Sequence, residues 1–270
     1  MPAATPAAAP RAAFRRPGLR IPPPVRTAAA AACLVLGLGL LGGAAAGSWL
    51  TGDDTAQAAT GKDFSEARGL WHSVPVDEIF PRTLRGEGAG PGGADRTWIR
   101  IAVAPDSGCA RAFDPLLARA LSPVGCERLL RATYTDATSS TVTTVGLVIT
   151  EADAAGMKDL RARFEDEGLA ARRDLMPRPY AAKGTVAEDF GDAQRGAWTV
   201  RVLTDVPAVV YAVTGFTDGR DVDEPQPAER ATEEDATAAP AQAGLGHDAA
   251  GVADRVERGF REAAAPEDSA

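Results

Sequence analysis

ERLLRATYTDATSSTVTTVGLVIT, residues 127–150, decides the fold class. It reads as two strands rich in Thr, Val and Tyr, joined by a short polar turn near Thr138 and Ser139. Directly after it, Thr150 followed three residues later by Asp153 has the spacing of a capping box. That spacing predicts a helix in which Met157, Leu160 and Phe164 share one face. On the N-terminal side, TWIRIAVA (residues 97–104) alternates, with Ile99, Ile101 and Val103 on one face and Arg100 on the other. Asp114 and Pro115 then form an N-cap and N1 pair, predicting a helix through Leu116, Leu117, Ala120 and Leu121 that Pro123 ends. On the C-terminal side, AWTVRVLTD (197–205) and AVVYAVTGF (208–216) supply two more strands flanking Pro207.

The resulting order, β-α-β-β-α-β-β, predicts an α+β domain over residues 97–217, a ferredoxin-like βαββαβ core with an extra C-terminal strand. The connection from Gly168 to Gly196 is too long for a bare loop in a compact domain and is expected to hold an extra turn of helix or strand.

Charge divides the rest of the chain. Residues 1–26 form a leader rich in Pro and Ala with five Arg (Arg11, Arg15, Arg16, Arg20, Arg26) and no acid. From Thr27 to Gly52 there is no Asp, Glu, Lys, Arg or His. As a helix such a run outspans a ~30 Å hydrocarbon core, so one transmembrane helix is expected at 27–50. The Arg-rich side faces the cytoplasm by the positive-inside rule. Cleavage as a signal peptide, after Ala46 or Ala58, is the alternative. Residues 51–96 read as a linker with a short helix (Phe64, Ala67, Leu70, Trp71) and a Gly-rich loop. Residues 218–270 hold 5 basic and 14 acidic side chains, a net of -9. That composition predicts a largely disordered tail, with a possible helix at 247–264 carrying the stripe Val252, Val256 and Phe260. The stripe could dock on a partner or on the domain itself.

Several chemistries lack their residues. A net charge of -8 argues against a nucleic-acid partner, which needs a concentrated basic face. Gly88, Gly90 and Gly93 satisfy GxGxxG, but they precede a strand where a dinucleotide loop must follow one and open a helix. No GxSxG or HExxH occurs. His72 and His247 lie outside the predicted core, which removes the usual base for a nucleophile. No catalytic, cofactor-binding or metal-ligating residue is therefore assigned, and no cofactor is expected. Asp106, Asp136 and Asp205 are the acids at strand or loop ends open to carboxylate chemistry. DGRDVDE, residues 218–224, is acidic without the ligand order of an EF-hand. Cys109 and Cys126 lie beyond the expected membrane segment, where disulfides persist, and are expected to pair.

The chain has 26 Arg, 3 Lys and no Asn, a usage that resembles proteins of GC-rich bacterial genomes. Together these features predict a single-pass membrane protein with a cytoplasmic N-terminus and an extracytoplasmic domain. Its expected role is a non-enzymatic interaction or accessory module at the bacterial cell envelope, bound to an envelope protein or ligand. The alternative is an envelope hydrolase with a carboxylate-based site.

Overall fold

The computed structural model describes residues 64–105, 108–109 and 113–265. The expected transmembrane helix at 27–50 and the leader at 1–26 lie outside the described residues. Among the described residues no helix is long and apolar enough to cross a membrane.

The class is α+β, built on one seven-stranded mixed sheet. Its strands are β1 (Thr83–Gly86), β2 (Arg96–Val103), β3 (Arg128–Asp136), β4 (Thr141–Ile149), β5 (Ala197–Val202), β6 (Ala208–Phe216) and β7 (Gln226–Pro227), in the spatial order β1-β2-β3-β4-β6-β5-β7. Every neighbouring pair is antiparallel except β5 with β7. The five strands read from the sequence all form, with α3 (Pro115–Leu121) and α4 (Ala154–Asp166) between them as expected. The ferredoxin-like arrangement does not. In a split βαβ unit the strands joined by a helix are parallel and separated by another strand. Here β2 and β3 are joined by α3 and pair directly, antiparallel, through Trp98↔Asp136 and Ile99↔Thr135. Element order follows from local patterning, whereas partner choice follows from what covers each face.

Both faces are covered. One carries α3, α4 and the 168–196 segment over Leu129, Val142, Val148, Val209, Tyr211 and Val213. The other carries the long helix α7 (Leu245–Ala264), which buries Val252, Val256 and Phe260 against Tyr134, Leu147 and Val210. All nine residues of β4 are consequently buried, as a strand sandwiched between two helical layers must be. The expectation of a largely disordered 218–270 tail is therefore corrected. Residues 218–265 fold on the sheet as β7, α5 (Ala228–Ala231), α6 (Ala239–Gln242) and α7. Low apolar content misled because Ala and Gly do the packing. A Cβ on Gly251 would meet the Trp98 ring at 2.5 Å, and one on Gly246 would meet the Ala231 side chain at 2.6 Å.

Of the linker expected at 51–96, the short helix and the Gly-rich loop both form, and the structure adds a second short helix and a strand. A helix at 64–73 (α1) buries Phe64 and Ala67, α2 (Val76–Ile79) follows, and β1 is an edge strand of the sheet. The Gly-rich stretch is the β1–β2 connection, with Pro91–Gly93 as a 3-10 turn. Two local readings also change. Asp153, not Thr150, is the N-cap of α4, accepting the Gly156 N–H at 2.9 Å, while Thr150 Oγ1 lies 3.2 Å from Met157 Sδ. On β2 the supposed core face is partly bare: Ile99 and Val103 are 44% and 37% exposed, and Trp98 on the opposite face is fully buried.

Cys109 and Cys126 form a disulfide with Cα atoms 6.2 Å apart. Asp114, at the α3 N-cap, makes no capping bond. It accepts from Arg178 Nε at 2.7 Å and Arg195 Nη1 at 2.9 Å, and Arg195 also donates to the Met176 carbonyl at 3.0 Å. These contacts fix the long connection, whose expected extra turns are the 3-10 turns Leu169–Ala171 and Arg173–Leu175.

Candidate functional site: the open edge of β5

A seven-stranded open sheet has two edges, and each presents unpaired amides and carbonyls unless something blocks them. At the β1 edge one outward group is capped by a side chain. Arg100 N–H donates to the Arg82 carbonyl at 2.9 Å, which sets the alternation along β1 and turns the amide and carbonyl of Arg85 outward. The Arg85 carbonyl accepts from Arg255 Nε of α7 at 2.8 Å.

The β5 edge is different. On its inner side β5 pairs with β6 along its whole length, from Ala197↔Thr214 to Val202↔Val209. On its outer side β7 pairs only with Ala197 and Trp198. Leu203 N–H donates to the Ala208 carbonyl at 3.0 Å, continuing the β5–β6 register. Hydrogen-bonded and non-bonded pairs alternate in an antiparallel ladder. Thr199 and Arg201 are thus bonded to β6, and the amides and carbonyls of Val200 and Val202 turn outward. Among the described residues no backbone partner meets them.

This stretch of edge forms the floor of a groove of about 450 Å³. One wall is α4 and the turn after it, with Arg161, Phe164, Glu165, Gly168, Ala170 and Ala171. Trp198 Nε1 donates to the Ala170 carbonyl at 2.9 Å and holds that turn against the strand. The other wall comes from α5 and α7 through Glu229, Glu257 and Arg261. The charges on the walls are paired: Arg161 with Glu165 at 2.8 Å, Arg201 with Glu257 at 3.1 Å, and Arg261 with Asp205 at 2.7 Å. Glu257 also pairs with Arg261. The groove thus presents open main-chain hydrogen-bonding groups between charge-balanced walls.

The acids considered for catalysis are occupied elsewhere or out of view. Asp106 lies outside the described residues. Asp136 closes the β3–β4 turn, accepting from the amides of Thr138 (3.1 Å), Ser140 (2.7 Å) and Thr141 (2.8 Å) and from the Thr138 hydroxyl. Burial pushes its carboxyl up, and these bonds more than offset it, holding the carboxyl below the usual range. Asp205 is likewise held low: burial pushes its carboxyl up, and the Arg261 hydrogen bond and charge together with backbone hydrogen bonds more than offset it. His72 is exposed, its ring centroid 3.4 Å from that of Trp71, and His247 Nδ1 lies 3.1 Å from the Ala89 carbonyl. In 218–224, Asp218 pairs with Arg220 and Asp221 accepts from Gln194 at 2.6 Å. Among the described residues no three His, Cys, Asp or Glu side chains converge as metal ligands would.

No known protein family, curated protein or solved structure matches this chain.

Sequence reasoning missed two features. The open β5 edge had no signal, because AWTVRVLTD reads the same whether its outer side is paired or bare. The second is Asp248, fully buried on α7 inside a segment read as tail. Its carboxylate accepts from Trp98 Nε1 at 2.9 Å and Thr141 Oγ1 at 2.8 Å and lies 3.3 Å from Arg96 Nε, at an angle too poor for a hydrogen bond. An acid one residue after His247, in an otherwise apolar helical stripe, was the available clue.

Proposed function

We propose that this protein is a binding module that captures an extended segment of a partner protein as an added strand on β5. The observation carrying the reading is the outward-facing amides and carbonyls of Val200 and Val202 at the floor of a groove, whereas at the other sheet edge the outward Arg85 carbonyl is taken by Arg255. Strand addition draws affinity from main-chain hydrogen bonds and specificity from side-chain pockets on alternate sides. The walls favour a lone strand over a second copy of this sheet. Side chains of α4 and α7 rise on both sides of the edge, and another edge carrying its own helices would meet them. The domain is held at the outer face of a bacterial membrane by the 27–50 segment, which places the groove in reach of envelope proteins.

Hydrogen exchange and peptide selection on the full chain test this reading. The amides of Val200 and Val202 should exchange rapidly in the free protein and slow when an extended peptide selected from a random library binds. Val200→Pro removes one outward N–H and leaves the β6 ladder intact, because that amide does not face β6. It should abolish peptide binding while the far-ultraviolet circular dichroism is retained. Protection of both amides in the free protein, or binders indifferent to the proline, would sink the proposal.

A further inference from the structure

The place beside β5 already has one neighbour, and where β7 ends decides what can be added after it. β7 runs parallel to β5 and pairs Gln226 with Ala197 and Pro227 with Trp198. The next register place, opposite Thr199, falls to Ala228, where the chain turns into α5. The open groups along the edge are then the amides and carbonyls of Val200 and Val202. A parallel strand makes evenly spaced, slanted bonds, so reaching all of these groups takes residues from opposite Thr199 to opposite Leu203. Its first residue would need the place of Ala228, which is buried. In an antiparallel pair one residue exchanges both bonds with the residue opposite it. A triplet opposite Val202, Arg201 and Val200 then reaches them all. Such a strand enters beside the β5–β6 turn and leaves toward α5.

Residues directly opposite each other in such a pair share a face. Val200 and Val202 belong to the apolar layer that includes Phe164 of α4 and Leu169. Arg201 lies on the other face and pairs with Glu257 of α7 at 3.1 Å. The outer two residues of the triplet therefore meet the wall formed by Phe164, Gly168, Ala170 and Ala171, whose charges, Arg161 and Glu165, pair with each other. The central residue meets the α5–α7 wall. There Arg201 and Arg261 already pair with Glu257 and Asp205, which leaves Glu229 unmatched. Glu229 is exposed and makes no ion pair among the described residues. Arg230, next along α5, lines a separate hollow with Glu224 and Glu233.

We propose that the segment captured on β5 is an antiparallel triplet of apolar, basic and apolar residues, its C-terminal end toward α5. The proposal rests on the strand-capture reading and adds to it the direction and the residue pattern. Aliphatic side chains in the outer places continue the Val200–Val202 row and meet a wall with no charge left over. A Lys or Arg in the centre supplies the partner that Glu229 lacks, and an acid there would add to the surplus. Across a strand pair opposite charges are favourable and like charges are not.

Fluorescence polarisation with the full chain tests it, using labelled synthetic peptides with Gly-Ser flanks and the centres Val-Lys-Val, Val-Glu-Val and Lys-Val-Lys. Val-Lys-Val should bind about fivefold more tightly than Val-Glu-Val, the scale of an exposed ion pair, and more tightly than Lys-Val-Lys. Glu229→Lys, an exposed change that leaves the fold intact, should reverse the order of the first two. A nitroxide on the C-terminus of the Val-Lys-Val peptide should broaden the amide resonances of α5, and one on its N-terminus those of residues 203–206. Equal affinity for the Lys and Glu centres, an order that Glu229→Lys leaves unchanged, or broadening at the opposite ends would overturn the proposal. If Val200→Pro still abolishes binding in those cases, strand capture itself stands. Binding that survives Val200→Pro, or no binding by any of the peptides, would remove strand capture and this assignment with it.

Discussion

Replacing Asp248 separates two contributions to one buried carboxyl. Asp248→Ala leaves Trp98 Nε1–H and Thr141 Oγ1–H without their acceptor in a site closed to water. At roughly 1–3 kcal/mol per orphaned donor the loss is about 4 kcal/mol. For a domain of this size each kcal/mol moves Tm by roughly 2–4 °C, so the expected drop is about 12 °C. Asp248→Asn should behave differently. Its oxygen can accept from Trp98 and its amide can donate to Thr141, and what it loses is the charge facing Arg96. Burial raises the Asp248 pKa, against the attraction of Arg96 and the hydrogen bonds from Thr141 and Trp98. A raised folded pKa means that this group's stability is fully present below the unfolded carboxylate value of roughly 3.9. That stability is lost as pH rises through the folded value. The neutral asparagine feels no such loss. The Tm gap between wild type and Asp248→Asn should therefore narrow from pH 4 to pH 7, ending within about 4 °C, the scale of 1 kcal/mol. Circular dichroism melts of the full chain across that range would measure it. If Asp248→Asn lost as much as Asp248→Ala at pH 7, or the gap widened with pH, the pairing with Arg96 would outweigh burial and the reasoning would fail.

Phe260→Ala should cost about 3–5 kcal/mol, the scale of a large core truncation, because Phe260 is fully buried against the sheet. Truncation before Leu245 should abolish the cooperative melt, and a truncated chain melting within 2 °C of wild type would restore the disordered-tail reading. Reducing the Cys109–Cys126 bridge should cost about 3 kcal/mol on loop-closure grounds, given a sequence separation of 17. Thiol labelling of the denatured, unreduced chain should find only Cys33 reactive, and labelling of all three cysteines would refute the bridge in the native protein. Cell fractionation with intact-mass measurement should recover the whole chain in the membrane fraction, whereas a soluble form beginning at Gly47 or Ala59 would establish signal-peptide cleavage.

What the sequence determined by itself is local. Alternation and β-branched, aromatic composition placed all five long strands, and Asp114-Pro115 marked the start of α3, with Pro123 just past its end at Leu121. The Cys109–Cys126 pair was legible from compartment and spacing. Each of these rests on backbone preferences and side-chain period, which act over a few residues. Only the tertiary structure decided that β2 pairs with β3, that TLRG at 83–86 is a sheet strand, and that the acidic C-terminal segment is the second helical layer. The reason is that burial is a property of the partner surface. Val252, Val256 and Phe260 form the same stripe whether or not a sheet face lies opposite, and Gly251 looks like a helix weakness until Trp98 occupies the space its missing Cβ leaves. The candidate site follows the same rule. Val200 and Val202 become an open edge only because β7 stops after two residues. Pairing register and chain-end placement are settled by contacts between residues far apart in sequence, so no window of the sequence could carry them.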